Sequence, residues 1–421
     1  MISVLSNSWA LLLGMMLLML GNGLQGTLLG IRGEIEGFST FQMSLVMSAY
    51  FIGFLGGSRM APEMIRRVGH VRVFAALGSL ISAVLILYPT LLNAEAWIVG
   101  RIIIGFCFSG VYVTAESWLN NSVTNETRGQ TLSLYMIVQM IGIVAAQGVL
   151  VLGDPSGFIL FIVPSVLVSV AFAPILLSVS PTPAFETTQP MTLRQLYDAS
   201  PLGVVGMFLL GGVFSAQFGM AAVYGGKIGL SVGQISLFVS AFYVGAMLMQ
   251  YPLGLASDRM DRRLLILVSA GLGGISACAA ILWEDNYVLL LATAFFVGGT
   301  SNPLYSLFLA YTNDFLEYED MAAASGGMVF INGLGAISGP IITGWLMTTF
   351  GPWAFFGVIS ALMLAIGGYA TFRMTQRSAP SADETAGFQA VMPSVSPVFV
   401  EVAQEIAIEN AIEEQLDENS P

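Results

Sequence analysis

The chain has 421 residues, of which 56% are hydrophobic and 10% charged, with 47 glycines and a mean hydropathy of +0.80. Soluble domains carry roughly 25% charged residues, so this composition excludes a water-soluble enzyme. The net charge of −12 comes mostly from nine acids beyond Gln376, opposed there by Arg377 alone, and the near-balanced remainder offers no basic face for nucleic acid.

A membrane-crossing helix needs about 20 mostly apolar residues, and the first run of that kind is 9–30. No basic stretch precedes it and no small-residue cleavage site follows, so it is expected to remain as the first span. Further runs occupy 41–57, 73–92, 97–119, 130–152 and 157–179. Then comes a polar linker, 180–200, whose Pro181, Pro183, Glu186, Pro190, Arg194 and Asp198 cannot lie in hydrocarbon. Six more runs follow at 201–224, 234–256, 264–283, 287–310, 326–349 and 353–372. The expected architecture is an all-α membrane protein with twelve transmembrane helices in two pseudo-symmetric six-helix bundles, 1–179 and 201–375, joined by the linker. The remaining 376–421 is expected to form an acidic, disordered cytoplasmic tail, since apolar and acidic residues mix there without a clean period.

Arginines set the orientation. Arg59, Arg66, Arg67, Arg72, Arg128, Arg194, Arg259, Arg262, Arg263, Arg373 and Arg377 fall on one side, and only Arg32 and Lys227 on the other. Both termini and the linker are therefore expected in the cytoplasm of a bacterial inner-membrane protein. An internal repeat supports the division into halves: Ser48–Gly53, read SAYFIG, matches Ser240–Gly245, read SAFYVG, and at the same offset of 192 residues Arg67 falls on Arg259. Two homologous halves around a shared midplane site suit alternating access. Cys107 and Cys278 lie in apolar runs and read as small core residues, with no metal pair and no resident cofactor implied.

The loop after the eighth span reads Gly254-Leu-Ala-Ser-Asp258-Arg259-Met-Asp261-Arg262-Arg263. Its acids and bases interleave, as a conformational latch requires and simple anchoring does not. The equivalent first-half loop, Pro62 to Arg72, is degraded: proline stands in the glycine position and Arg66 in that of the aspartate, leaving Glu63 as the acid. His70, the only histidine, sits in this loop. In the fourth span Arg101 and Glu116 are about 22 Å apart along the helix, too far to pair with each other. A charge at this depth needs a partner or a wet cavity. Glu116 reads as an inner-gate ion pair with Arg67 or Arg128, as a proton or substrate site, or as a solvated helix end. Arg101 reads as a site for an anionic group or for proton coupling, or as a cation snorkelling to the interface.

Amides within spans are further candidates to line a cavity: Asn22, Gln25, Gln139, Gln147, Gln217, Asn302 and Asn332, together with Tyr305, though such groups also bind helices to one another. Asn302-Pro303 is expected to bend its helix. Methionine pairs at i, i+4 spacing, among them Met43/Met47 and Met136/Met140, allow Cu(I) as an alternative cargo; gap-filling in apolar helices is the simpler reading.

The loop 254–263 resembles the Gly-x-x-x-Asp-Arg-x-Gly-Arg-Arg signature of the major facilitator superfamily. Arg101-Ile-Ile-Ile-Gly105, Glu116 and Arg128-Gly129 resemble its fourth helix and following loop. The run from Glu116-Ser-Trp-Leu-Asn through Arg128-Gly-Gln-Thr-Leu to Tyr135-Met136 looks like the YcaD-like branch of bacterial members. The resemblance, covering about 9–375, implies a secondary transporter of a small-molecule solute that works as a monomer in the lipid bilayer, and protons are the expected coupling ion because no sodium-site pattern is visible. A copper importer and a lipid or drug exporter are the alternatives. It also implies gating roles for Asp258, Arg259, Arg262, Glu116, Arg67 and Arg128. The Gly-Pro pair of the eleventh span, Gly339-Pro340, is similar to a motif that drug/proton antiporters carry in their fifth helix, but the fifth span here lacks it.

Overall fold

In hydrocarbon no water is available to bond a free N–H or C=O, so each crossing segment must satisfy its backbone internally, and helices do so. The computed structural model describes residues 2–121, 125–177, 191–283 and 285–376, together with 388, 390, 391, 396, 398–400, 402 and 403 beyond them. Among the described residues the chain is all helix and loop. The first half contains α1 (Ile2–Ile35), α2 (Thr40–Val68), α3 (His70–Leu87), α4 (Ala94–Asn121), α5 (Asn125–Val151) and α6 (Ile159–Leu177). A short helix, α7 (Leu193–Ala199), ends the linker. The second half contains α8 (Pro201–Lys227), α9 (Val232–Ser257), α10 (Arg262–Leu282), α11 (Tyr287–Asn313), α12 (Tyr318–Phe350) and α13 (Ala354–Met374). Eleven of these are long and apolar enough to cross a membrane, and the described part of α6 adds a shorter apolar helix.

Each half packs first on itself. In the first, α1 lies on α5 and α6, α2 on α4, and α3 on α4 and α6; in the second, α8 lies on α12 and α13, α9 on α11, and α10 on α11 and α13. The halves meet where α1 touches α8, α2 touches α12, and α5 touches α9.

The repeat seen in sequence is an equivalence of structure. Gly37 and Gly229, 192 residues apart, both take φ of +76°, a left-handed conformation that glycine adopts without steric cost. Two residues later Ser39 and Ser231 cap α2 and α9, each in a reciprocal box with Gln42 or Gln234. Farther along the same helices, a Cβ on Gly53 would lie 1.9 Å from the Ile102 carbonyl oxygen, and one on Gly245 would lie 2.0 Å from that of Phe295. Glycine at both places lets α2 approach α4, and α9 approach α11, to backbone contact. Lipid supplies no hydrophobic drive between helices, so this close packing is what holds each half together.

Two expectations change. Cys278 is exposed on the outside of α10, its Sγ 2.9 Å from Ser360 Oγ, while Cys107 is buried as expected. The described part of the tail does not extend away from the protein: Val391, Ser396, Phe399, Val400, Val402 and Ala403 are all buried. The first four of these belong to the stretch 385–400, which carries no charge within an otherwise acidic tail, and Val402 and Ala403 follow Glu401.

Candidate functional site

A cavity of about 180 Å³ lies between the halves. An apolar cavity of roughly 150 Å³ accommodates benzene, so this volume suits a solute of about one ring. Tyr50, Phe54 and Tyr112 wall it from the first half, and Phe214, Phe218 and Tyr243 from the second. Tyr243 stacks on Phe218 with ring centroids 4.6 Å apart. The polar groups that reach the cavity are few: Asn22, Thr27, Ser58, Gln147, Asn302, Asn332 and the guanidinium of Arg101.

Arg101 is 5% exposed, so it does not snorkel. Its position seven residues from the start of α4 places it about 10 Å along the helix. Nη1 donates to Gln25 Oε1 at 2.6 Å, Nη2 to the Met47 sulfur at 3.8 Å, and the guanidinium carbon lies 4.6 Å from the centroid of the Tyr50 ring. Nε has no partner, and no carboxylate among the described residues pairs with the group. The result is a buried cation neutralised by dipoles and an aromatic face only. Removing such an ion from water costs several kcal/mol, and an uncharged amide and a thioether return only part of that.

The amides divide by position. Asn22 donates to Tyr112 Oη at 3.2 Å and lines the cavity, as do Gln147, Asn302 and Asn332. Asn302 and Asn332 each donate to a backbone carbonyl, of Gly298 and Met207. Gln25 stands behind Arg101 rather than on the cavity wall. Gln139 and Gln217 are fully buried away from the cavity, Gln217 accepting from Ser301 Oγ at 3.1 Å. Met43, Met47, Met136 and Met140 are buried, but the Met47 sulfur faces a guanidinium, an unfavourable position for a monovalent cation.

The expected latch residues have other partners. Arg67 bonds Glu63 at 2.6 Å, and so does Arg66, at 2.7 Å; both arginines are exposed. The expected Arg67–Glu116 gate is therefore not formed, because Glu63 lies one turn away on the same helix face. Arg128 lies outside the described side chains. Glu116 is 2% exposed and accepts from Tyr135 Oη at 2.9 Å and from the Ser396 amide at 3.0 Å. Asp258 accepts from the Phe388 amide of the tail, at 2.8 Å. The Arg259 side chain is exposed and forms no pair among the described residues. Arg262 is buried, bridges Asp314 and donates to the Ala310 carbonyl at 3.2 Å, which ties α10 to the end of α11 within one half. His70 begins α3, buried, 3.1 Å from Ser117 Oγ and stacked on Trp118.

Outside the spans two acids respond in opposite directions. Burial pushes the Asp314 carboxyl up to about 6 although Arg262 pulls it down, whereas hydrogen bonds from Ser156 hold Asp154 below the usual carboxylate range.

A family model described as Major Facilitator Superfamily matches residues 11–231 and again 202–405. The chain is 28% identical over 338 residues to the MFS-type transporter YfkF of Bacillus subtilis (strain 168), covering 77% of this chain and 85% of that protein. It is 25% identical over 345 residues to the MFS-type transporter YcaD of Escherichia coli O6:K15:H31 (strain 536 / UPEC), covering 81% and 88%. In fold it is similar to crystal structures of the nucleoside transporter NupG. The D323A mutant aligns with a TM-score of 0.77 at 13% identity over 87% of this chain and 99% of that one, and NupG itself with 0.68 at 15% over 87% and 98%.

Proposed function

Because the chain belongs to the major facilitator superfamily and is a multi-pass membrane transporter in the YcaD-like group, we propose that its cavity carries a small organic anion with an apolar or aromatic body. The observation that carries this reading is Arg101: a buried guanidinium with a free Nε–H beside the cavity and no acid to balance it. A carboxylate or other anionic group of the solute supplies the missing charge, and the aromatic walls take the rest of the molecule. Rocking of the two halves about the cavity delivers the solute across a bacterial inner membrane, with both termini cytoplasmic as the arginine distribution requires.

Protons are the coupling ion in this reading, and Glu116 is the group that holds one. It is the buried acid within a span among the described residues, and it sits on the same helix as Arg101. The test is a thermal-shift screen of purified protein against small organic anions and their neutral isosteres, repeated with Arg101→Gln. Anions alone should raise Tm, and the substitution should abolish the rise. Stabilisation by neutral isosteres that survives the substitution would overturn the reading.

A further inference from the structure

Described residues of the uncharged stretch of the tail bond to both halves. Phe388 donates its amide to Asp258 at the end of α9 and packs on Gly254, where a Cβ would lie 2.9 Å from its ring. Val391 and Ser306 of α11 bond reciprocally: the Val391 amide donates to Ser306 Oγ at 2.8 Å, and that hydroxyl donates to the Val391 carbonyl at 3.1 Å. In the first half, the Ser396 amide donates to Glu116 on α4. Phe399 stacks on Tyr135 of α5 with centroids 5.6 Å apart and planes at 29°. Four helices from both halves are thus joined through one short segment.

On the opposite face the halves touch each other directly. Lys227 lies 3.5 Å from Glu34, a Cβ on Gly30 would sit 2.7 Å from that of Ala222, and Ser48 Oγ bonds the Ile337 carbonyl. Helices thus meet directly at this face, whereas at the other face tail residues bridge the two halves.

We infer that the described tail residues between Phe388 and Val400 form an internal plug that closes the cytoplasmic end of the cavity in the conformation shut to the outside, and that they must withdraw before solute can pass on that side. A buried carboxylate that accepts a main-chain amide, and a serine that both gives to and takes from one residue, form a specific seat rather than a greasy contact. The seat is occupied by residues that carry no charge, whereas acids flank them in sequence at Asp383, Glu384 and Glu401. A segment without charge can enter the cavity mouth without a counter-ion, and its acidic flanks favour staying in water.

The test needs no knowledge of the solute. Ser58 lines the cavity on α2, toward the plugged end, and Ser58→Cys in a Cys278→Ala background gives a reporter for a membrane-impermeant maleimide in inside-out vesicles. Labelling should be slow with the native tail, and at least ten-fold faster after truncation beyond Gln376. Phe399→Asp or Ser396→Pro in the full chain should give the same acceleration, so the outcome does not depend on the truncated protein folding. Separately, Ser306→Cys with Val391→Cys should form a disulfide that keeps labelling slow until it is reduced. Labelling at the native rate in both full-length tail variants overturns the plug, as does a Ser306→Cys/Val391→Cys pair that fails to cross-link under oxidising conditions. Neither result bears on Arg101, so the plug and the anion site stand or fall separately.

Discussion

The two halves are joined at their two ends by different means. At the Gly37 end, small residues let α1 meet α8 and α2 meet α12 at close range, so the closure is part of the helices themselves. At the Asp258 end, the bonded pair Glu116 and Tyr135 of the first half is linked to Ser306 and Asp258 of the second through the tail. A seam of glycine and alanine opens when whole halves rotate, whereas a seated peptide can leave while the helices stay in place. The contrast teaches that one molecule can hold its two ends by separate physics, packing at one and the docking of a segment at the other.

Arg101 lies between these two closures, and its loss should have the largest effect. Arg101→Gln removes a charge-assisted bond to an anion in a site shielded from water, which at about 3 kcal/mol is a roughly 100-fold loss of affinity, measured as the anion concentration needed for half the Tm shift. Anion affinity that survives intact would break the cavity out of the scheme.

Next comes the packed end. A Cβ on Gly344 would lie 2.2 Å from that of Ser44, so Gly344→Leu should wedge α12 from α2. Overpacking of this kind costs about 1–3 kcal/mol and should shift the halves toward the state open at the Gly37 end, seen as a longer spin-label distance across that face. The plug should also loosen, because the far end narrows when the near end opens.

A smaller effect separates the loops. Asp314 has its carboxyl raised to about 6 in the folded protein, against an ordinary value of 3.8. The folded state therefore holds the proton more tightly than the unfolded chain, and this group's contribution to stability falls as pH rises from about 4 through 6. Asp154 is shifted the other way, so its contribution is present above the unfolded pKa and lost as pH falls through the lower folded one. Asp314→Asn should remove the Tm decline between pH 4 and 6, and Ser156→Ala should weaken the decline at still lower pH. An unchanged Tm profile in either variant would show that the group is not perturbed as the geometry implies.

The smallest change is expected at Lys227. Its pair with Glu34 is a third exposed, and such pairs contribute about 0.2–1 kcal/mol, so Lys227→Ala should lower Tm slightly and leave the Gly37 end shut. Opening of that end by this substitution alone would mean that charge, rather than close packing, holds the seam.

Much of the fold was legible because its causes are local. Apolar runs near 20 residues and the offset of 192 between matching segments mark the helices and the halves, and the structure carries that offset into capping boxes and left-handed glycines. The site was legible in part. Arg101 announced itself as a charge in a span, and Asn22, Asn302 and Asn332 do reach the cavity. Gln139 and Gln217 carry the same chemical signal but face other helices, since a 100° turn per residue separates cavity wall from interior and one sequence does not give the rotation. The missed element was the tail. Its net acidity masked an uncharged stretch whose absence of charge was the available signal.

By itself, then, the sequence determined a membrane-embedded helical transporter in two repeated halves, because lipid forces each span to be apolar and internally bonded. Only the tertiary structure decided which partners the charges find. Arg67 goes to Glu63 four residues away, while Glu116 goes to Ser396, 280 residues distant. Pairing depends on which groups the packed helices bring within about 3 Å, and hydrogen bonds at that range follow spatial neighbourhood rather than chain order.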